Sequence, residues 1–409
     1  MDKNRYLLLD GGVVITVDGQ RRVYRDGSVL IRNNLIEKVG TNDEVHQYLR
    51  EHPAEYERID TKDSVVMPGL VNCHTHLFQS LYRGLGDNLS VTDWCINMIF
   101  PLSKYMGEEE AYISGLLAQM EFIRTGSTTF ADSHYIHNDK RAMDGLAGSV
   151  KEMGTRGVLV RAVQNISFPG FPDDFLEDRK TIESELLRCI HTYNGTLNGR
   201  IRVVPEAITD QDVDPETLIM LHEIGKEYGV GLHMHTAEST NDINNAIGSR
   251  GNRSIEYLAE CGVLDENTLL AHCVWVTPHE LHLLASTGTK VAHNPVSNLM
   301  LGDGIAPVPY MREMGIDVGL GVDGAASNNS QDMFEAMKTC LLQHRGNWID
   351  PNILNPEDVF EMATIGSAKA LRMEKEIGSL EAGKKADVTI VGTNQVQMCP
   401  SVRPLSNLV

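Results

Sequence analysis

Eight apolar runs, each followed by an amphipathic stretch, constrain the fold of this chain more than any other feature. They are GLVNCHTHL (69–77), STTFADSH (127–134), GVLVRAVQN (157–165), RIRVVPEAI (200–208), GVGLHMHTAE (229–238), NTLLAHCVWV (267–276), TKVAHNPVSN (289–298) and DVGLGVDGAAS (317–327). Helical segments such as EEEAYISGLLAQMEFIRTG and PETLIMLHEIGKEYG lie between them. A Gly closes each, as a helix C-cap requires, and the next apolar run follows. Strands alternating with helices in this way predict an α/β fold, a (β/α)8 TIM-type barrel.

The flanks read differently. Residues 1–65 hold short strand-like runs, YLLLDGGVVITV and SVLIRNNLIEKVG, punctuated by Asp-Gly and Asn-Asn pairs. Strand-like text returns near the end, in EIGSLEAGKKADVTIVG. We therefore expect a small β-sandwich domain formed from both chain ends, 1–65 plus 373–409, around a barrel of 66–372. A length of 409 residues suits that arrangement. The formal net charge of -20 disfavours phosphate backbones and anionic lipid heads, so no nucleic acid and no membrane partner is expected. The seven cysteines are scattered and form no CxxC, which points to a reducing, cytoplasmic setting without disulfides. Cys73 and Cys273 read as small core residues. No run of apolar residues is long enough to span a bilayer, and the N-terminus carries no signal-peptide pattern.

Barrel strands are buried on both faces and should be continuously apolar. Polar residues at their C-terminal ends break that rule, and barrel enzymes place their chemistry there. His74 and His76 end the first run two residues apart, so both point to one side of the strand. His235 ends the fifth run, His272 the sixth and Asp323 the eighth. A lone His-X-His is common on surface loops. Imidazoles and a carboxylate converging from four strand ends suit Zn2+, Fe2+ or Mn2+. Glu238 follows His235 by three residues, on the rim, where a carboxylate can act as general acid and base.

PGLVNCHTH, HTAE, AHC, HNPVSNLMLGDGIAPV and GVDGAASNNS resemble motifs of the amidohydrolase superfamily. The branch they are most similar to holds triazine hydrolases and methylthioadenosine/S-adenosylhomocysteine deaminases, over nearly the whole chain. The resemblance implies one divalent metal, Zn2+ or Fe2+, on His74, His76, His235 and Asp323. It implies that His272 orients and polarises the attacking water, that Asp323 also accepts a proton, and that Glu238 shuttles a proton to the ring nitrogen and then to the leaving group. Glu206 stands near the fourth-strand position where binuclear relatives have a carboxylated lysine, which argues for one metal. The implied function is hydrolytic deamination of an amino-substituted nitrogen heterocycle, the alternatives being dechlorination of a triazine-like ring or methylthioadenosine/S-adenosylhomocysteine deamination. Gln79, Trp94, Arg161, Glu238 and Ser327 are the expected substrate contacts, with Arg161 aimed at a nucleoside tail.

His293 is expected near the pocket and His233 inside the barrel. His134 and His137 read as solvated loop residues. Nucleoside deaminases of the branch carry a Pro-His pair after the fourth strand. Pro205-Glu206 stands here instead, which favours a smaller heterocycle. Relatives usually continue past Val409 with further strands, so the chain reads as shortened or unusually brief. Members are often dimers or tetramers, and a homo-oligomer acting on a small-molecule substrate is expected.

Overall fold

The computed structural model describes residues 5–135 and 137–409. Strands β1 (Leu70–His76), β2 (Ser127–His134), β3 (Arg156–Val163), β4 (Ile201–Thr209), β5 (Leu232–Thr236), β6 (Thr268–His272) and β7 (Lys290–His293) lie side by side in chain order, all parallel. β8 comes in two pieces, Val318–Leu320 and Asp323–Gly324. The first pairs with β7, the second with β1, so the sheet closes on itself as a TIM-type barrel. Each expected run holds one strand. β1 and β3 are buried at every position, as strands covered on both faces must be.

The runs overshoot the strands where a breaker intervenes. In the seventh run the strand stops at His293, and Pro295 starts a short helix, Pro295–Met300, where its fixed φ and missing N–H cost nothing. The helix Pro215–Glu227 begins at the Asp214 N-cap, whose side chain accepts from Thr217 N–H, and Gly229 follows in the left-handed region at φ 65°. Among the described residues no helix is long and apolar enough to cross a membrane.

The small domain packs two four-stranded sheets, one of Leu35–Thr41, Gly27–Arg32, Tyr6–Asp10 and Tyr56–Asp60, the other of Val388–Gly392, Ser64–Pro68, Val13–Ile15 and Val23–Tyr24. Leu9, Val29 and Ile36 of the first meet Val14 and Val66 of the second, and Leu380 joins them from the distal end of the chain. We propose the division 1–65 plus 373–409 around 66–372. The distal segment supplies one strand to it, Val388–Gly392, antiparallel to Ser64–Pro68. Its last helix, Pro404–Leu408, instead puts Leu408 and Val409 into the barrel core.

Asp10 anchors the first sheet. It is buried, and its carboxylate accepts from Asn42 Nδ2 at 2.7 Å and Arg58 Nε at 2.5 Å, with His46 Nε2 at 2.8 Å. Burial alone would raise this carboxyl, but the His46, Arg58 and Asn42 contacts outweigh it and hold it below the usual range. A depressed carboxyl contributes stability above its unfolded value and loses it as pH falls through the folded one. Asp10→Asn is expected to cost about 2 kcal/mol at neutral pH and to show a weaker loss of stability below about pH 4 than the parent, read from urea melts against pH.

Candidate active site

The C-terminal strand ends place the polar residues on one point. β1 presents His74 and His76, β5 His235, β6 His272 and β8 Asp323. All five are buried. The backbone is bent to achieve this. Ala237, His272, Cys273 and Asp323 adopt φ of 52°, 73°, 48° and 61°, a region that costs a non-glycine residue about 1–3 kcal/mol. Gly324 follows because a Cβ there would lie 1.7 Å from Gln79 Oε1.

Backbone carbonyls orient two of the histidines. His76 Nδ1 is 2.5 Å from Ser133 O, and His235 Nδ1 is 3.0 Å from Ile208 O. Each Nδ1 therefore donates, and in the neutral rings that metal binding requires each Nε2 lone pair points inward. Burial favours the neutral form of His235, but the neighbouring Glu206 and Asp323 outweigh it and raise this imidazole, so a bound cation would displace a proton there. His74 Nδ1 is 3.2 Å from His233 Nε2, while His74 Nε2 is buried with no hydrogen-bond partner. Asp323 Oδ1 lies 3.5 Å from His74 Nε2 and 3.1 Å from His76 Nε2, and the Nε2 atoms of His76 and His235 are 3.3 Å apart. Inward-facing acceptors at such spacings have no mutual hydrogen bond to make. The edges of a tetrahedron with ligands at zinc distances are about 3.4 Å, so these four residues fit a divalent metal.

Glu206 stands behind them, at no exposure. Its Oε1 is 2.9 Å from His233 Nδ1 and 3.1 Å from His235 Nδ1. Burial would raise the carboxyl, but the charges and hydrogen bonds of His233 and His235 bring it well below the usual range. A carboxylate here makes His233 Nδ1 a donor. His233 Nε2 then accepts from His74 Nδ1, which leaves His74 Nε2 bare for a metal. His233 is thus both the expected interior histidine and a link in this chain, its ring stacked on His74 at 7°.

Glu238 lies on the rim, with Oε1 3.4 Å from His272 Nδ1. Burial pushes its carboxyl well above the ordinary value, and the nearby Asp303, Asp242 and Asp323 push the same way. Asp303 is hydrogen-bonded to it and is also raised, first by burial. Such a pair holds a proton between its members at neutral pH. His272 Nδ1 is 2.8 Å from Asn298 Oδ1, and burial pushes its imidazole down to about 4, so the ring is neutral. Asn298 and Asp303 both fall in HNPVSNLMLGDG, but nothing in the text of that motif says that one holds His272 and the other Glu238.

A cavity of about 710 Å3 opens onto His76, His235, His272 and Asp323. Glu238, Trp94 and Ser327 line it as expected. Trp94 is itself anchored, its indole N–H donating to Ala326 O at 3.3 Å. Gln79 and Arg161 do not line it among the described residues. Gln79 is fully buried and donates to Tyr135 OH at 3.2 Å, so it supports the wall from behind. Arg161 is 1% exposed and paired with Glu177 Oε1 at 2.6 Å, which holds its charge inside the protein. His134 and His137 are buried, not solvated. Their rings lie 5.3 Å apart, and those of Phe78 and His134 lie 5.5 Å apart. His293 does not line the cavity among the described residues but stands behind it, buried, with Nε2 2.8 Å from Gln343 Nε2 and close enough to His272 to interact with it. Glu206 faces the histidines, so Pro205-Glu206 does not shape the pocket, and the small-ring expectation built on it falls away. Ile208 is the residue of that strand that reaches the cavity.

Residues 65–407 match the model of the amidohydrolase family. The chain belongs to that family. It is 35% identical over 384 residues to a 5′-deoxyadenosine deaminase of Methanobrevibacter smithii, spanning 94% of this chain and 84% of the relative. A 5-methylthioadenosine/S-adenosylhomocysteine deaminase of Pelotomaculum thermopropionicum is 34% identical over 403 residues, 98% of this chain and 88% of the relative. Among solved structures, an atrazine chlorohydrolase from Arthrobacter aurescens TC1 complexed with zinc superposes with a TM-score of 0.90 at 25% identity, over 98% of this chain and 90% of that one. This amidohydrolase accordingly has the fold and the metal-dependent, C–N-directed hydrolytic character of its family.

The Glu206 contacts give a testable consequence. Glu206→Gln weakens the hold on the His233 and His235 tautomers, and is expected to lower divalent-metal affinity by about 10–100-fold, measured by calorimetric titration of the chelated protein.

Proposed function

We propose that this amidohydrolase deaminates the adenine ring of a nucleoside, replacing the amino group by oxygen from water and releasing ammonia. The observation that carries this reading is the place of Glu238, 3.4 Å from His272 Nδ1 on the rim of a cavity that opens onto the histidine cluster. Relatives named for 5′-modified adenosines support the ring. A cavity of about 710 Å3 has room for a sugar as well as a base.

In this reading His74, His76, His235 and Asp323 hold one metal, with Zn2+ favoured over Fe2+. Bound there, the metal would supply Lewis acidity that brings the pKa of a water to about 7. The chain's own groups do the rest. Neutral His272, fixed by Asn298, accepts a hydrogen bond from the water and aims it at the ring carbon. Asp323 takes the proton that the water loses as its oxygen bonds to that carbon. Glu238 gives its proton to the adjacent ring nitrogen, so no negative charge is left there. The exocyclic amine then leaves as ammonia with the proton held by Asp323 as the C–N bond breaks, and the remaining hydroxyl proton passes to Glu238 as the carbonyl forms, which restores both groups. Trp94 offers a face against which a planar ring can stack, and Ser327 a hydroxyl on the same wall.

A dimer or tetramer is part of the proposal. Ile113, Leu117, Met120 and Ile123 lie exposed on the helix Glu108–Arg124, spaced to share one face. Light scattering that returns a monomer at working concentration would remove it.

Ammonia release is expected with adenosine-type nucleosides, and Glu238→Gln is expected to lower kcat by about 100- to 10000-fold. Turnover of a chlorinated triazine with silence on every amine would replace deamination by dechlorination. Elemental analysis is expected to find one equivalent of metal per chain. Two equivalents would favour a binuclear cyclic-amide hydrolase instead.

A further inference from the structure

A second group of metal-binding side chains lies outside the catalytic cavity. His293 ends β7. Cys340 and His344 sit four residues apart on the helix Met333–Trp348 and so share one of its faces. All three side chains are fully buried. One nitrogen of each ring and the Cys340 sulfur lie within 4.8 Å of one another, and the two ring centres are 5.5 Å apart. None of the three lines the catalytic cavity among the described residues.

Hydrogen bonding does not account for this group. His293 Nδ1 and both nitrogens of His344 have no hydrogen-bond partner among the described residues. Gln343 sets its amide against His293 Nε2 at 2.8 Å, yet its own Oε1 is without a partner as well. Buried polar atoms are nearly always satisfied, and four in one place are not. Apolar side chains of similar size would fill the space without that cost. His344 meets Trp348 with ring centres 5.4 Å apart. Trp348 and Gln343 are only half-buried, so the group lies close beneath the surface.

Two imidazoles and a sulfur are donors that suit a borderline metal ion. Such ligands stand about 3.4–3.7 Å apart on a tetrahedral zinc, so small side-chain rotations bring these atoms onto one ion. Burial holds His293 well below the usual range and His344 at about 4, so both rings are neutral at pH 7, as ligands must be. Burial also raises the Cys340 thiol, which keeps its proton until a cation displaces it. Gln343 fits the same picture. When its Oε1 accepts from His293 Nε2–H, the lone pair of that ring is on Nδ1, free for a metal.

We propose that His293, Cys340 and His344 form a second metal site, for Zn2+ or an ion of similar chemistry. Cys340 binds as the thiolate: its S–H bond breaks, the proton goes to solvent, and a sulfur lone pair bonds the ion. Seating the ion costs the proton of a buried thiol, so this site fills after the four-residue set at the barrel mouth. Protein purified without added metal keeps a single equivalent, and the second is taken up from excess metal. Its sulfur ligand tells it from the second ion of a binuclear active site. The proposal stands independently of the deaminase reading.

Cobalt tests it, because thiolate bound to Co2+ gives a strong near-ultraviolet charge-transfer band that nitrogen and oxygen ligands do not. Chelator-treated protein is titrated with Co2+ at neutral pH. The first equivalent is expected to bind without this band, and the band to grow in with the second. Cys340→Ala and His344→Leu are each expected to abolish the band at two equivalents and to leave uptake of the first unchanged, which also shows that the variant is folded. In the parent loaded with two equivalents of Zn2+, zinc X-ray absorption is expected to show sulfur at about 2.3 Å. A parent without sulfur-bound metal in either spectrum would overturn the proposal, as would a band that survives both substitutions.

Discussion

The site depends on one backbone pairing, that of Asp323 with Thr75 across the seam of the barrel. It closes the sheet and, in the same stroke, carries the only carboxylate of the proposed metal set to the two histidines of β1. The pairing is not free, because Asp323 sits at φ 61°. Hydrogen bonds hold it there. Thr75 Oγ1 and Gln331 Nε2 both donate to Asp323 O, at 2.7 and 3.3 Å, and Gly324 N–H donates to its Oδ1 at 2.9 Å. The two bonds to the carbonyl contribute about 1 kcal/mol each and the one to the carboxylate about 1.5–3 kcal/mol, enough together to offset one residue in the left-handed region.

Given that seam, electrostatics arranges the rest. Five imidazoles, those of His74, His76, His233, His235 and His272, lie within ring contact of one another. They could not all be charged, and burial keeps His74 and His272 well below their usual range. Neutral rings have one donor and one acceptor nitrogen, and the choice is made from outside the cluster. Ser133 O, Ile208 O, Asn298 and Glu206 each take or share one N–H. The inward lone pairs are a consequence of those outer partners, not of the histidines themselves.

The rim obeys a different constraint. Glu238, Asp303, Asp242 and Asp323 crowd together, which raises Glu238 beyond what burial alone would do. A protonated acid next to a metal is what protonation of a ring nitrogen needs.

The order of residues along the chain sets the barrel and names the polar residues that its strand ends bring together. Eight apolar runs can only be strands buried on both faces, and a histidine or aspartate that ends such a run has nowhere to point but into the ring of strand ends. His74, His76, His235, His272, Asp323 and Glu238 were legible for that reason. Tertiary structure alone decided the rest, because partners distant in the chain carry no spacing signal. Arg161 looks like a pocket residue until Glu177, on the following loop, takes its charge. Gln79 looks like one until Gly324 and Tyr135 close over it. His134 and His137 look solvated, yet His134 is the buried end of β2 and the ring of His137, also buried, lies 5.3 Å from it. Glu206 stood in plain view in the fourth run. Its place behind His233 and His235 follows from the lateral register of β4 against β5, where Glu206 pairs with His233, and that register is set by how the whole barrel closes.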